Sequence, residues 1–226
     1  MELIFIIIPV FNEEPGILRR VIEGLLPLHY HIVLIDDGSA NNVPQILSQY
    51  PVCILSHPVN LGQGAALQTG FEYARGKKAD YIVTFDADGQ HDSRNVDVLL
   101  SPLLRGETDI TLGSRFLEGS FHDAPYSRKL MLLIGRFMNT LFTGVYLSDS
   151  HNGLRGLNRL ALERINITEN RMAHATEIIL QIKKEKLRFK EVPVHIYYTA
   201  YSKKKGQTGW DSVRIFFDLI LHKLFK

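Results

Sequence analysis

Cysteine is nearly missing from this chain: Cys53 stands alone. A single thiol excludes an internal disulfide and fits a reducing, cytoplasmic compartment. Its setting, Val52-Cys53-Ile54-Leu55, marks it as a buried strand residue rather than a reactive thiol. No uninterrupted apolar run reaches the roughly 18 residues of a membrane span, so no transmembrane helix is expected. Met1-Glu2-Leu3 leads straight into an apolar run and Pro9, which leaves no space for a signal peptide. Charge of one sign is also scarce. The 26 Lys and Arg against 24 Asp and Glu leave a net charge of +2. That balance is too mild for a nucleic-acid partner, and a basic run such as Lys183-Lys184-Glu185-Lys186 reads as a solvated helix face. A phosphate loop is lacking as well. Gly62-x-Gly64 has neither the third glycine of a dinucleotide fingerprint nor a Gly-Lys-Ser/Thr ending. A nucleotidyltransferase would carry a glycine-rich, lysine-containing loop after its first strand. Val10-Phe11-Asn12-Glu13-Glu14 stands there instead.

What is present is an alternation of apolar strands and helices. The 226 residues, 45% of them hydrophobic, suffice for one domain, residues 1–226, with a large core. Leu3–Ile8, His31–Ile35, Val52–Ser56, Tyr81–Phe85 and Asp109–Gly113 are short apolar runs that read as buried strands. Between them lie helical patterns. Pro15–Leu26 repeats Ile17, Leu18, Val21, Ile22, Leu25 and Leu26 at helical spacing, with Pro15 in the first turn and Pro27 as a stop. A short helix near Val43–Ser48 and another over Gly64–Ala74, with Gly76 as its C-cap, complete the series. Continuous apolar strands alternating with helices predict a mainly parallel α/β sheet covered on both faces.

In such sheets ligands bind beyond the carboxyl ends of the strands. Asp36-Asp37-Gly38-Ser39 follows the second strand, and Asp86-Ala87-Asp88-Gly89-Gln90-His91 follows the run Tyr81–Phe85. Two carboxylates one residue apart at a strand exit suit a hard divalent cation, whose shell commonly includes substrate phosphates and water. The same tetrapeptide is also an ordinary solvated turn. With Glu13 and Glu14 after the first strand, three acidic loops converge on one edge. Their mutual repulsion would raise carboxylate pKa values unless a cation were present.

In this order, the segments Pro9…Asn12-Glu13, Asp36-Asp37-Gly38-Ser39, Asn60-x-Gly62-x-Gly64-x-Ala66 and Asp86-Ala87-Asp88-Gly89-Gln90 resemble a family 2 glycosyltransferase of the GT-A fold. The chain is most similar to the polyprenol-phosphate sugar transferases of the dolichol-phosphate mannosyltransferase type, bacterial subgroup. The likeness continues through Gly113-Ser114-Arg115, Asp149…Gly153-Leu154-Arg155 and Glu191-Val192-Pro193-Val194. It implies a nucleotide-contacting segment at Pro9, Phe11 and Glu13, with Phe11 where a tyrosine is usual. It places Ile35 and Asp37 beside base and ribose. Asp86, Ala87 and Asp88 match the Asp-x-Asp motif, and Gln90 matches a further metal contact, which makes Asp86, Asp88 and Gln90 the implied metal residues. Arg128 falls where an arginine lies near phosphate. Arg155 matches the arginine of a Gly-Phe-Arg motif, and Lys203 matches a late lysine. Two departures stand out. Tyr197 stands near the place of an expected arginine, and Tyr201–Gln207 differs from the eukaryotic and archaeal pattern.

The resemblance implies inverting transfer from a UDP- or GDP-sugar, with Mg²⁺ or Mn²⁺, onto a polyprenyl phosphate or lipid-linked glycan. A saccharide hydroxyl acceptor and a non-catalytic sugar-nucleotide-binding protein are the alternatives. A lipid phosphate needs no deprotonation, so Arg128, Arg155 and Lys203 would steer it. A hydroxyl acceptor needs a general base. Asp149 is the candidate, and equally a loop cap. His91 either supports the acidic motif or is a loop histidine. His151 and Asn152 either shape the acceptor pocket or form a turn. Glu177 either orients the acceptor loop or is an ordinary helix residue. Residues 1–115 form the expected nucleotide-sugar half, 116–209 the acceptor half, and 210–226 an amphipathic helix. Leu130–Leu147 and Trp210–Lys226 bear on peripheral contact with the cytoplasmic membrane face, and for the latter packing on the domain or in a homodimer is the favoured alternative.

Overall fold

Strand β1 (Ile4–Val10) buries every side chain but Pro9. A strand can be apolar on both faces only inside a sheet covered on both sides, and that is its position. The computed structural model describes residues 2–124 and 126–198, with the backbone alone for 126–128. Lys203 and the segment 210–226 lie outside the described residues.

Chain order after β1 is α1 (Pro15–Leu25), β2 (His31–Asp36), α2 (Val43–Ile46), β3 (Cys53–Ser56), α3 (Gln63–Gly76), β4 (Tyr81–Thr84), α4 (Asn95–Leu104), β5 (Ile110–Ser114) and β6 (Phe121–His122). It continues through α5 (Tyr126–Thr143), β7 (Arg155–Asn158), α6 (Arg159–Arg164), α7 (His174–Lys184), β8 (Phe189–Pro193) and β9 (His195–Ile196). Seven strands form one sheet in the order β3-β2-β1-β4-β7-β5-β8. All neighbours are parallel except β7, which runs antiparallel to both β4 and β5. The expected mainly parallel α/β sheet is therefore present. β6 and β9 make a separate two-stranded ribbon.

Alternation along β1 divides the core. Ile4, Ile6, Ile8 and Val10 face α1 and α4 on one side. Phe5 and Ile7 face α3, α6 and α7 on the other. α1 places Ile17, Leu18, Val21, Ile22 and Leu25 on its buried stripe, with Pro15 in its first turn. Each such side chain contributes roughly 1.5–3 kcal/mol by leaving water.

One expectation needs correction. Gly76 does not cap α3: it is the last helical residue, and Lys78, at φ +58°, is the left-handed residue that turns the chain. Gly62 and Gly64 serve close packing. A Cβ at either position would overlap the backbone carbonyl of Asn170 or Glu169, and the Ala65 N–H donates to the Asn170 carbonyl at 3.1 Å. The loop covering this helix start is held by Glu177, whose carboxylate accepts from the Thr168 N–H and hydroxyl and from the Glu169 N–H. Glu177 thus orients a loop, and the loop lies on the α3 side.

Helix α5 is inverted relative to an ordinary surface helix. Asn139 and Thr143 are buried, while Leu130, Leu133, Ile134, Phe137 and Leu141 are exposed, the last two at 67% and 71%. Its inner face packs toward α7, where Lys183 Nζ donates to the Thr143 carbonyl at 2.9 Å. Among the described residues no helix is long and apolar enough to cross a membrane.

Candidate active site

The carboxyl ends of β1, β2 and β4 lie side by side, with Pro9 opposite Ile35, Val10 opposite Asp36 and Ile7 opposite Thr84. This register brings the three acidic loops to one edge. Asn12 joins the first two: its N–H donates to Ser39 Oγ at 2.9 Å, and its Oδ1 accepts from the Ala40 N–H at 2.8 Å. It does so at φ +52°, a conformation asparagine tolerates better than most residues. Phe11 is left exposed beside it, Glu13 is buried, and Ile35 is fully buried.

Asp37 is buried and committed to the fold. Its carboxylate accepts from His57 Nδ1 at 2.7 Å, Asn60 Nδ2 at 2.8 Å, the Leu61 N–H at 2.9 Å and the Gly62 N–H at 2.7 Å. Thr69 Oγ1 lies 2.9 Å from His57 Nε2 and fixes the ring from behind. Any nucleotide contact by Asp37 comes in addition to these four. No sequence motif marks His57. Its only signal is its place one residue beyond β3, at the same edge.

Asp86 and Asp88 occupy different electrostatic settings. Asp86 pairs with His91 Nε2 at 3.0 Å and accepts from Gln63 Nε2 at 3.2 Å. Burial opposes its charge, but His91, Arg155 and His174 together hold its pKa below the usual carboxylate range. Asp88 lacks such relief. Burial first, then the charges of Asp86 and Glu13, push its pKa up, against weaker opposition from His91 and the Gln90 N–H. Gln90 clamps Asp88 through its N–H at 3.0 Å and its Nε2 at 2.6 Å. Ala87, between the two acids, is buried. Asp88 also lines a cavity of about 470 Å³ with Glu14, Ile17, Arg20 and His91.

These residues bear on whether a cation fits. Asp88 holds uncompensated negative charge that a divalent cation would relieve. Among the described residues no group of three or more His, Cys, Asp and Glu side chains converges on a metal position. The set therefore suits a cation completed by ligand oxygens and water, as Mg²⁺ and Mn²⁺ commonly are. It does not suit a protein-caged ion.

Behind Asp86 lies the start of β7. Gly153 abuts the Asp86 carboxylate so closely that a Cβ there would overlap both oxygens. Thr84 Oγ1 donates to the Gly153 carbonyl at 2.6 Å and receives the Arg155 N–H at 3.1 Å, locking the segment in place. Arg155 is 3% exposed. Burial lowers its pKa to about 10, against the pull of Asp86 and Asp149. His174, also buried, donates from Nδ1 to the Arg171 carbonyl at 2.7 Å, and burial with Arg155 lowers its pKa to about 4. His174 is therefore neutral, and no sequence motif marks it.

Asp149 sits deeper. It is 5% exposed and pairs with Arg115, whose Nε donates to Oδ2 at 2.5 Å and whose backbone N–H donates at 3.2 Å. Arg115 Nη1 also donates to the Tyr198 hydroxyl at 2.5 Å. Burial opposes the Arg115 charge, yet Asp149 and Tyr198 raise its pKa above the usual value. Glu191 accepts from the Ser148 and Asp149 N–H groups and holds the loop from below. Tyr198 closes the ring of contacts by donating its N–H to Asp123 at 2.6 Å, and the neighbouring Tyr197 N–H donates to the Gln90 carbonyl at 2.8 Å. Arg128 lies in the first turn of α5, and its side chain is outside what is described.

Comparison with known proteins identifies the family. The model of glycosyl transferase family 2 matches residues 5–166. UDP-N-acetylglucosamine--dolichyl-phosphate N-acetylglucosaminyltransferase of Methanococcus voltae is 31% identical, over 100% of this chain and 98% of its own. Dolichol-phosphate mannosyltransferase of Pyrococcus furiosus is 27% identical, over 95% of this chain and 63% of its own. Among solved structures, glucosyl-3-phosphoglycerate synthase from Mycobacterium tuberculosis, in complex with Mn²⁺, UDP and phosphoglyceric acid, superposes with a TM-score of 0.72. That match covers 96% of this chain and 78% of the other at 16% identity, and it speaks for the fold alone. With its GT-A sheet, its acidic edge and a family match over most of its length, the chain belongs to glycosyl transferase family 2 and is a glycosyltransferase.

Proposed function

We propose that this glycosyltransferase moves a sugar, with inversion, from a UDP- or GDP-sugar to a polyprenyl phosphate at a membrane surface. The observation that carries this reading is helix α5. It turns an apolar stripe outward, and its 18 residues contain Arg and Lys but no Asp or Glu. Such a face suits the boundary of an anionic bilayer, where the lipid acceptor resides. Exposed Tyr146, with Arg136 over its ring, extends the face. The relatives named for dolichyl-phosphate and dolichol-phosphate substrates support the acceptor class.

The chemistry is consistent with that acceptor. The bond from the anomeric carbon to the donor diphosphate breaks, a bond to a phosphate oxygen of the acceptor forms, and the nucleoside diphosphate leaves. The acceptor oxygen is already anionic, so no proton needs removal. Asp149, the candidate base for a hydroxyl acceptor, is engaged with Arg115 and serves better as an anchor of the loop before β7. Asp88, clamped by Gln90, would hold a divalent cation, Mg²⁺ or Mn²⁺, whose contribution when bound is to offset charge on the leaving diphosphate. Pro9, Phe11, Glu13, Ile35 and Asp37 shape the nucleotide end. Arg128 and Lys203 remain the candidates for steering the acceptor phosphate.

The test is turnover of UDP- and GDP-sugars with Mn²⁺ on three acceptors: polyprenyl phosphate, the neutral polyprenol and a free saccharide. Transfer to the phosphate alone is expected. Transfer to the saccharide without transfer to the phosphate would overturn the acceptor assignment. Phe137→Asp should keep the fold, since that side chain is two-thirds exposed, and should weaken sedimentation with anionic vesicles.

A further inference from the structure

We propose that Asn152 and Arg155 read the sugar of the donor, by hydrogen bonds to its neutral oxygen atoms. The inference rests on the donor reading above and deepens it.

Two buried donors here have no partner among the described residues: Asn152 Nδ2 and Arg155 Nη1. Asn152 is 4% exposed, and its orientation is set, because Oδ1 accepts from the Leu154 N–H at 3.0 Å. That bond leaves the amide N–H groups unfilled. Buried polar groups are nearly always satisfied, and leaving one unmade costs about 1–3 kcal/mol. Two such donors, on either side of Gly153-Leu154, form a set that a ligand would complete.

Their position names the ligand. Gly153 lies against Asp86 with no space for a side chain, and the charge of Arg155 acts on Asp86, so the loop that carries Asn152 and Arg155 sits against the first acid of the Asp86–Asp88 pair. The Asp86 side chain is itself 27% exposed. The charge balance excludes phosphate as the best partner. Asp86 and Asp149 already face Arg155 with negative charge, and His174 beside it is neutral. What Arg155 lacks is a hydrogen-bond acceptor, not a counter-charge. A sugar hydroxyl or an acetamido carbonyl supplies an acceptor without adding a third anion. Sites built to hydrogen-bond a substrate group discriminate strongly against analogues that lack it, so these residues belong to sugar selection rather than to nucleotide binding.

The experiment is calorimetric titration, with Mn²⁺ present, of UDP against UDP-glucose and UDP-N-acetylglucosamine, and of GDP against GDP-mannose. It compares the native protein with Asn152→Ala, Asn152→Ser and Arg155→Gln. The serine variant keeps an oxygen for the Leu154 N–H while removing Nδ2, so it guards against loss of the fold. The expected result is unchanged affinity for the bare nucleotide. Affinity for the preferred nucleotide sugar should fall roughly three- to tenfold in the Asn152 variants and roughly ten- to a hundredfold in Arg155→Gln. The donor KM should rise in parallel. Equal losses for nucleotide and nucleotide sugar would overturn the inference and assign the pair to the diphosphate. Unchanged affinities for both would also overturn it, leaving a structural role. Failure of the native protein to bind any nucleotide sugar would instead overturn the donor reading on which the inference stands.

Discussion

Asp149→Asn separates an anchor from a base. The substitution preserves volume and removes the negative charge that faces Arg115, itself 7% exposed. Arg115 then stays buried with only the Tyr198 hydroxyl and a neutral amide around it. Removing one partner of a buried ion pair costs about 3–5 kcal/mol. In a chain of this size each kcal/mol moves the unfolding midpoint by roughly 2–4 °C, so a drop of roughly 6–20 °C is expected. The assay is thermal unfolding followed by circular dichroism, paired with turnover on polyprenyl phosphate well below both midpoints. Folded variant should retain turnover within about an order of magnitude, because an anionic acceptor needs no base. Loss of a general base would look different, costing roughly 10²–10⁴ in rate with little effect on stability. A midpoint within about 2 °C of the native protein, together with turnover reduced more than about a hundredfold, would refute the anchor assignment.

Two other outcomes follow from the acidic edge. Asp88→Asn should abolish the effect of Mn²⁺ on donor binding and turnover, and should raise the melting temperature of the metal-free protein. The sign follows from the raised pKa of Asp88: the folded state holds its proton to higher pH than the unfolded chain, so this group favours folding less as pH rises through that value. Native melting temperature measured against pH, with chelator present, should show this decline across the upper carboxylate range, and the variant should lack it. Gly153→Ala should displace the Asp86 carboxylate from His91, weaken nucleotide-sugar binding at least about tenfold, and cost about 1–3 kcal/mol by overpacking; an unaltered affinity would show that Asp86 does not need this position.

The sheet was legible because its strands are continuously apolar. Ile4–Val10 and His31–Asp36 differ from the expected runs by a residue or two at their ends. α4 is not evident from sequence although Val96, Leu99, Leu100 and Leu103 mark its buried face, because Pro102 within it obscures the pattern. β7 was invisible as a strand, since Arg155-Gly156-Leu157-Asn158 lacks any β signature and is held by its neighbours. The acidic motifs found the site edge, because carboxylates at strand exits are locally recorded. His57 and the Arg115–Asp149 pair were not recoverable, because their partners lie between 12 and 34 residues away and only the fold brings them together; the setting of His174 likewise comes from burial and from Arg155 and Asp86. The outward stripe of α5 was read as apolar, but which side would face the protein was not, since burial of Asn139 and Thr143 runs against the usual rule.

The placement of β7 carries a consequence for synthesis on the ribosome. β5 emerges as part of the first half of the chain, yet it cannot join β4, because β7 must lie between them. Until residue 158 has left the exit tunnel, β4 and β5 each present a bare hydrogen-bonding edge. Exposed edges are templates for mispairing with other chains. A fragment ending near residue 115 would therefore be a nascent-chain hazard rather than a portable nucleotide-binding module, and chimeras with other transferases should be joined beyond Asn158, where the interlocking strand is already home.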